Sequence, residues 1–238
     1  MTLGARVSSH DAIAEGVAII VFARRPSAGR VKTRLARSIG KRRAAAVYAG
    51  LLGRTIETVE DAAFERRWLM PASADEAHYF RSRFAHRGWQ VRTQCRGHLG
   101  RRMERALQSV LCDGGAAVLI GSDIADFIAD DLVEARRALA AGADAVIGPV
   151  RDGGYWLIGA SRVIHDSFCH IPWSTARVFE RTIDRFKRHR LEWVTLAERH
   201  DVDTPGDLRY LTTGSRSDTA FQRKRLCSRS SRATQRSI

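Results

Sequence analysis

The sequence lacks the features that mark membrane, secreted and disulfide-stabilised proteins. No apolar run in its 238 residues reaches the roughly 18 residues needed to cross a bilayer, and the first sixteen residues contain no apolar stretch of the kind a secretory signal requires. The cysteines at positions 95, 112, 169 and 227 form no CxxC pair and no zinc-like spacing, which favours free thiols in a reducing compartment. We therefore expect a cytoplasmic protein without a membrane span.

Several motifs that define enzyme classes are also missing. The absence of GxxxxGK[ST] and of GxGxxG argues against a P-loop NTPase and a Rossmann dinucleotide-binding protein. No GxSxG elbow or Cys/His pair points to covalent catalysis, and the histidines show no metal-ligand spacing. Displacement within a metal-held complex is the simpler mechanism.

Positive charge is abundant, and much of it lies at one end of the chain. The formal net charge is +14, of which residues 213–238, with seven Arg or Lys and one Asp, contribute +6. This segment has almost no apolar residues, so we predict a disordered basic tail. A nucleic-acid-binding arm is the alternative, but few aromatic residues interleave its cations, so nucleic acid is not the expected partner. Residues 1–16 are predicted to be a flexible extension, which leaves one domain over 17–212.

Strand and helix patterns alternate through this domain. Strand-like runs lie at 17–23, 64–70, 89–94, 116–122, 143–149, 155–160 and 191–197, and helical runs at about 41–60, 73–86, 99–112, 129–141, 174–189 and 204–211. This order predicts an α/β protein with a doubly wound, mostly parallel sheet. The first, fourth and fifth strands are nearly all apolar and should be central, whereas the second and third mix apolar and charged residues as edge or half-exposed strands do.

Polar loops follow four of these strands, at the carboxyl edge where such sheets bind ligands. The first loop, "RRPSAGRVKTR", combines a glycine that allows close backbone approach with a helix expected to start near Lys32. Its cations are Arg24, Arg25, Arg30, Lys32 and Arg34. These features suit a polyphosphate, and a basic surface turn is the alternative.

Carboxylates follow the fourth and the last strands. Asp123 and Asp126 lie in the second half of "AVLIGSDIADF", after the apolar run of the fourth strand. Asp201 and Asp203 lie in "RHDVDTPGDL". Two carboxylates from separate strands beside a basic loop favour Mg²⁺ bridging to phosphates. Asp123 or Asp126 could instead cap the next helix, and we assign Asp207 to the first turn of the final helix.

The segment "GPVRDGGYWLIGA" has a different character. Asp152-Gly153-Gly154 is a hairpin turn signal between strands. Alternation along the following strand should send one of Tyr155 and Trp156 into the core and leave the other to line a pocket. Trp173 is either a wall of the acceptor site or a staple for a helix capped by Ser174 or Thr175.

Taken in order, "FARRPSAGRVKTRLA", "GHLGRRM", "LIGSDIADF", "GPVRDGGYWLIG", "IPWST" and "RHDVDTPGDL" resemble the radical-SAM/selenodomain-associated transferase family. That family has a GT-A glycosyltransferase-like, three-layer α/β/α fold of the nucleotide-diphospho-sugar transferase type. It is similar to the guanylyltransferases that act on 2-phospholactate or the molybdenum cofactor. The resemblance covers about residues 17–211.

The resemblance implies a nucleotide-sugar or nucleoside-triphosphate donor, a small-molecule acceptor and Mg²⁺ or Mn²⁺. Asp123 and Asp203 would hold the metal, with Asp123 and Lys32 as the catalytic residues. The nucleotide would bind to the first loop, through Ala23, Arg24, Gly29, Arg30, Lys32 and Arg34. The acceptor side would comprise Asp152, Gly153, Gly154, Tyr155 and Trp173.

Two departures from the family pattern leave alternatives open. The family usually has a proline where this chain has Ala125, and acidic residues where it has His98 and Arg101. Either the acceptor differs or the activity has been lost. The competing hypotheses are therefore a metal-dependent transferase of glycosyl or nucleotidyl groups, a polyanion-binding protein, and a degenerate family member that serves as a scaffold.

Overall fold

The computed structural model describes residues 16–112, 115–162 and 168–213. The predicted N-terminal extension and basic tail therefore lie outside the described residues, apart from Gly16 and Thr213. A search of the described ranges finds no helix whose length and apolarity would let it cross a membrane. Cys95 and Cys112 are free thiols on the surface.

Within the described ranges, seven strands form one mixed sheet. They are β1 (Ala18–Ala23), β2 (Arg66–Pro71), β3 (Trp89–Val91), β4 (Ala117–Ile120), β5 (Ala145–Pro149), β6 (Tyr155–Ala160) and β7 (Trp193–Thr195). Their order across the sheet is β3-β2-β1-β4-β6-β5-β7. All neighbouring pairs are parallel except the two that involve β6, which runs antiparallel to both β4 and β5. The prediction of a mostly parallel sheet is confirmed.

Helices cover both faces of the sheet. They are α1 (Thr33–Ile39), α2 (Lys41–Asp61), α3 (Ala74–Phe84), α4 (Leu99–Leu111), α5 (Ala129–Ala140), α6 (Val178–Arg188) and the short α7 (Tyr210–Thr213). Alternate residues of β1 point to opposite faces, so Ile19 packs with α2, α3 and α5, whereas Ile20 packs with α4 and α6. Two apolar cores therefore sandwich the sheet in a three-layer α/β/α arrangement.

The apolar character of the strands predicts their position well, with one exception. β1, β4 and β5 are interior strands, and β3 is an edge strand. The exception is β2, which is paired on both sides: of the two positions predicted for it, edge or half-exposed, the edge position is wrong. Arg66 and Arg67 occupy the start of the strand and are only half-buried, so their charges reach the rim of the sheet.

The hairpin between β5 and β6 forms at the predicted turn. The Asp152 side chain accepts a hydrogen bond from the Gly154 amide at 2.9 Å, and Gly153 adopts a φ of +85°, which glycine tolerates and other residues rarely do. The hairpin reverses the chain, and β6 therefore inserts antiparallel between β4 and β5.

The helix predicted over 174–189 begins later than expected. Ser174 has a φ of +66°, which is incompatible with a helix, and α6 starts at Val178 after an N-cap at Arg177. The assignment of Ser174 or Thr175 as the cap is therefore wrong. Thr175 instead donates to the Pro172 carbonyl at 2.7 Å and accepts from the Arg177 amide at 3.3 Å.

Candidate functional site

A small apolar cluster, separate from the two cores of the sheet, joins three segments at the carboxyl edge. It contains Leu35 from α1, Ala125 from the loop after β4, and Val202 from the segment after β7, packed against Ala44 and Leu51 of α2. Each of the three segments carries a charged residue close to its buried residue. Packing of the apolar residues therefore brings the charged ones together.

Those charged residues are Lys32, Asp123 and Asp203. The Lys32 Nζ lies 3.1 Å from Asp123 Oδ2 and 3.0 Å from Asp203 Oδ1. Only 4% of the Lys32 side chain is exposed, against 44% for Asp123 and 36% for Asp203. Burial alone would lower the pKa of Lys32, but the two carboxylates outweigh it and raise the pKa. Lys32 is therefore a cation at neutral pH, held between two anions.

Backbone hydrogen bonds fix the spacing of the two carboxylates. The Val202 amide donates to the Asp123 carbonyl at 3.2 Å, and the Ala125 amide donates to the His200 carbonyl at 2.8 Å. Asp207 lies in a 3₁₀ helix (Pro205–Arg209) and accepts from the Asp203 amide at 3.1 Å. As predicted, Asp207 belongs to a helical turn, and it orients the backbone that carries Asp203.

The expectation that Asp123 or Asp126 caps the following helix is wrong. Asp131 caps α5 instead, since it accepts from the Ile128 amide at 2.8 Å. Asp126 accepts from the His200 amide at 2.9 Å and contacts its ring nitrogen Nδ1 at 2.8 Å. Both contacts tie the loop after β4 to the segment that bears Asp203.

Tyr48 of α2 joins the loops after β1 and β4, which the sequence did not predict. Its hydroxyl accepts from the Arg24 amide at 2.8 Å and shares a hydrogen bond of 2.7 Å with Ser122 Oγ. Burial raises the pKa of Tyr48, so the phenol keeps its proton. The link holds the first residue of the basic loop beside the loop that contains Asp123.

Two cavities meet at the Lys32 cluster. The larger has a volume of about 570 Å³ and is lined by Ala23 at the end of β1 and by Arg24, Arg30, Lys32 and Arg34 of the first loop. The smaller has a volume of about 450 Å³ and lies beside the hairpin. Asp123, Asp203 and Arg34 line both cavities. Arg34 also contacts Asp203 at 3.5 Å.

Gly29 was expected to approach the ligand, but it does not line either cavity. It has a φ of +81°, and a Cβ there would lie 3.4 Å from the Lys41 side chain. Its contribution is therefore to the turn that leads into α1. Arg25 also points elsewhere, since its amide donates to Glu76 at 3.2 Å and its guanidinium lies over the Tyr79 ring.

The smaller cavity collects most of the residues predicted for the acceptor side. Asp152, Gly154, Tyr155 and Trp173 line it, whereas Gly153 shapes the turn from outside. Trp156 also lines it, but its side chain is buried with the ring tilted against Phe127, whereas Tyr155 is only half-buried. Alternation therefore sends Trp156 into the core, as predicted, although both rings border the cavity. Trp173 packs against Gly100 so tightly that a Cβ on this glycine would lie 2.4 Å from the indole.

Negative charge is crowded beside this cavity. Burial, followed by the charges of Asp152, Asp203 and Asp123, raises the pKa of Asp201 to about 6. Lys32 acts in the opposite sense but does not cancel these effects. The negative charge of these carboxylates therefore favours the binding of cations between the two cavities.

The block "GHLGRRM" caps helix α4 and lines the larger cavity. His98 caps α4, because its Nδ1 accepts from the Arg101 amide at 3.3 Å, and an aspartate at this position could cap in the same way. Arg101 is exposed and Arg102 lines the larger cavity. The sequence analysis missed Arg102, together with Gln94, which accepts from Arg102 Nε at 2.7 Å. The block therefore contributes a cation to the larger cavity.

Replacing Gly153 with alanine should destabilise the protein and distort the smaller cavity. The new methyl group would lie 2.1 Å from the Ala176 carbonyl oxygen, on a residue with positive φ. We expect a loss of about 2 kcal/mol or more in the free energy of unfolding, measurable by chemical denaturation. Gly142→Ala is the matched control, because Gly142 also has a positive φ but a Cβ added there would meet no atom within 4 Å. Equal losses in both variants would show that contact with Ala176 contributes nothing.

The sequence profile of a family described as an uncharacterized protein conserved in bacteria, DUF2064, matches residues 55–175. A solved structure from Desulfovibrio desulfuricans G20, that of a candidate nucleotide-diphospho-sugar transferase, is 32% identical. It aligns with a TM-score of 0.78 over 85% of this chain and 89% of that chain. The chain belongs to the DUF2064 family. A search of proteins with curated functions found no match.

More distant structures share the fold of this DUF2064 protein. A 4-diphosphocytidyl-2C-methyl-D-erythritol synthase from Anaerococcus prevotii DSM 20548 is 9% identical, with a TM-score of 0.56 over 86% of this chain and 99% of that chain. CMP:2-keto-3-deoxy-manno-octonic acid synthetase, solved with CTP, is 12% identical, with a TM-score of 0.51 over 81% of this chain and 95% of that chain. The fold is therefore that of the nucleotide-diphospho-sugar transferases.

The Lys32 cluster supplies some, but not all, of the ligands that a divalent metal requires. Asp123 and Asp203 supply the oxygen ligands that Mg²⁺ and Mn²⁺ prefer, and the position between them already holds a positive charge. No group of three or more His, Cys, Asp or Glu residues in the described ranges could hold a metal by itself. A metal would therefore need ligand atoms from a bound nucleotide, and Lys32 would have to move away from the carboxylates.

Proposed function

We propose that this DUF2064 protein is a transferase that moves a glycosyl or nucleotidyl group from a nucleotide-activated donor to a small acceptor. The observation that carries the proposal is the Lys32–Asp123–Asp203 cluster: Lys32 lines the larger cavity, and its two carboxylate partners line both cavities. A donor in the larger cavity would place its phosphates beside this cluster, and an acceptor in the smaller cavity would approach from the other side.

The first loop would bind the donor. Arg24 and Arg30 line the larger cavity and offer charge-assisted hydrogen bonds to phosphate oxygens. Lys32 would turn from the carboxylates towards the phosphates and offset charge that develops on the leaving group. The Arg34 side chain lies at the boundary and would stay with Asp203 or contact the reacting phosphate.

Asp123 and Asp203 would hold Mg²⁺ or Mn²⁺ together with the phosphate oxygens of the donor. When bound there, the metal would supply further charge stabilisation for the leaving group. Tyr155 and Trp173 would orient the acceptor through their rings, and Asp152 would bind its polar groups at the hairpin. Burial raises the pKa of Tyr155, and its hydroxyl contacts Met103 Sδ at 3.9 Å, so Tyr155 would contact the acceptor through its ring and would not act as a base.

The proposal also includes the subgroup of transferases to which the protein belongs. The ordered motifs support a position among the transferases associated with radical-SAM and selenodomain proteins, near the guanylyltransferases of 2-phospholactate and the molybdenum cofactor. A cytoplasmic location stays a prediction from the cysteine pattern. The donor base and the acceptor are to be identified by the binding experiment below.

Thermal unfolding in the presence of UDP-sugars, GDP-sugars and the common nucleoside triphosphates tests the proposal. One class of nucleotide should raise the unfolding temperature in the presence of Mn²⁺, because a ligand at 100 times its Kd stabilises by about 2.7 kcal/mol. Asp123→Ala should lose this stabilisation, whereas Asp130→Ala, an exposed carboxylate on α5, should keep it. No response to any nucleotide would refute the proposal.

Analysis of the products then separates the two reactions. Nucleotidyl transfer joins the α-phosphate of a triphosphate to an acceptor oxygen and releases pyrophosphate. Glycosyl transfer joins the anomeric carbon to the acceptor and releases a nucleoside diphosphate. Chromatography with a pyrophosphate assay distinguishes these outcomes.

A further inference from the structure

Arg102 is a half-buried cation without a carboxylate partner among the residues that the structure describes. It lies in the first turn of α4 and lines the larger cavity. The other cations that line this cavity differ from it: Lys32 and Arg34 pair with carboxylates, and Arg24 and Arg30 are exposed to water. Among the described residues, Arg102 has neither a carboxylate partner nor full hydration.

Gln94 holds the Arg102 side chain in place. Only 8% of Gln94 is exposed, and its backbone amide donates to the Pro71 carbonyl at 2.9 Å. Its side-chain Nε2 donates to the Met70 carbonyl, which fixes the orientation of the amide. The opposite end, Oε1, accepts from Arg102 Nε at 2.7 Å. A buried glutamine, held at its backbone amide and its side-chain nitrogen, therefore uses one oxygen to position a guanidinium.

The remaining contacts of Arg102 leave its charge uncompensated. Its guanidinium carbon lies 5.7 Å from the centre of the Phe22 ring, and a neutral amide and an aromatic ring do not cancel a positive charge. Burial and the neighbouring charge of Arg24 both lower the pKa of Arg102. Two cations on the wall of one cavity without a carboxylate counterion for Arg102 are unfavourable in the ligand-free protein, and an anionic ligand would remove this cost.

We propose that Arg102, positioned by Gln94 and assisted by Arg24, forms an oxyanion subsite that binds a phosphate or carboxylate group at the end of the larger cavity. The Nε atom is used by Gln94, which leaves the two terminal nitrogens as a planar pair of donors. This geometry matches two oxygens of one phosphate or carboxylate. The subsite is distinct from the Lys32 cluster, whose charges are already paired.

The inference rests on the proposed function only for the identity of the ligand. If the cavity binds a nucleotide, the oxyanion is either part of its phosphate chain or a separate acidic group on the transferred moiety or the acceptor. In both cases the group that binds to Arg102 is an oxyanion. Small anions can therefore test the subsite without a nucleotide.

Calorimetric titration with inorganic pyrophosphate and with malonate is the experiment. The full-length wild type should bind at least one of these anions, and Arg102→Met should bind it about 10-fold more weakly or worse, because a charge-assisted bidentate contact is lost. Arg102→Lys should lie between them, since it keeps the charge but not the planar pair of donors. Arg101→Met is the matched control, because Arg101 is the exposed neighbour on the same helix turn, and its affinity should equal that of wild type.

Competition identifies the source of the oxyanion. If a nucleoside diphosphate displaces pyrophosphate and binds more weakly to Arg102→Met, the phosphate chain occupies the subsite. If the diphosphate and malonate bind together and only malonate depends on Arg102, a separate acidic group occupies it. Both results support the subsite.

Two outcomes would overturn the inference. One is that folded Arg102→Met, with a wild-type unfolding temperature, binds pyrophosphate, malonate and nucleotides as wild type does. The other is that wild type binds none of them. Binding of pyrophosphate that depends on Arg102, in a protein that binds no nucleotide, would refute the proposed function and leave the subsite standing.

Discussion

Lys32→Met should weaken nucleotide binding about 100-fold and should also allow Mn²⁺ to bind without nucleotide. The first effect follows because a charge-assisted contact to phosphate contributes on the order of 1.5–3 kcal/mol, and one factor of 10 in affinity corresponds to about 1.4 kcal/mol. The second follows because Lys32 lies within 3.1 Å of both carboxylates. Its removal leaves Asp123 and Asp203 facing each other with no cation between them.

Electron paramagnetic resonance of Mn²⁺ measures the second effect directly. Wild type should bind Mn²⁺ tightly only when nucleotide is present, and Lys32→Met should bind it in both conditions. Lys32 has a φ of +45°, so Lys32→Gly is a useful second variant that removes the side chain at a position where glycine is unstrained. Lys41→Met, an exposed lysine on α2, is the control. Equal Mn²⁺ affinity of Lys32→Met and wild type without nucleotide would exclude competition between lysine and metal.

Arg199→Met should cause a large loss of stability and disturb the segment that carries Asp203. Asp131 is 6% exposed, and it accepts from Arg199 Nε at 3.0 Å and from a second guanidinium nitrogen. Removing one partner of a buried pair leaves an uncompensated charge, which typically costs 3–5 kcal/mol. Because part of Arg199 is exposed to solvent, we expect about 3 kcal/mol, or a fall of roughly 10 °C in the unfolding temperature.

A double variant separates charge from packing. Arg199→Met with Asp131→Asn should recover part of the lost stability, because asparagine carries no charge and still offers an oxygen to the Ile128 amide that caps α5. Arg137→Met, an exposed arginine on the same helix, should stay within about 0.5 kcal/mol of wild type. The interpretation fails if the double variant is less stable than Arg199→Met alone.

The fold was largely predictable because its signals are local. The apolar runs of β1, β4 and β5 indicate buried strands, and Asp152-Gly153-Gly154 indicates the hairpin that reverses β6. The start of α6 was not predictable, because Ser174 adopts a positive φ that the residue pattern does not signal. For β2 the sequence left edge and half-exposed positions open, and composition alone could not choose between them because it does not show that its two arginines lie at the start of a strand paired on both sides.

The candidate site was predictable only as a convergence of loops. Lys32 lies 91 positions from Asp123 and 171 from Asp203, so no spacing in the sequence connects them. The rule that ligands bind at the carboxyl edge of a parallel sheet brought them into one hypothesis. The pairing itself depends on the packing of Leu35, Ala125 and Val202, which requires the folded chain. The catalytic and binding roles of these residues stay predictions.

Arg102 shows why a motif can be noticed and still be misinterpreted. The sequence has two adjacent arginines in "GHLGRRM", and comparison with the family drew attention to Arg101. The buried positions Met103, Ala106 and Leu107 define the inner face of α4, and Arg102 lies four residues before Ala106, beside that face. With the helix start at Leu99 known, this periodicity would have favoured Arg102 as the inward-facing cation.

The two outer strands of the sheet have a consequence for how the protein behaves at high concentration. β3 and β7 are each three residues long, so the unpaired backbone groups along either border form a very short template for a strand from another molecule. Short borders of this kind discourage intermolecular sheet extension and aggregation. We therefore expect little association between molecules through the two borders of this sheet.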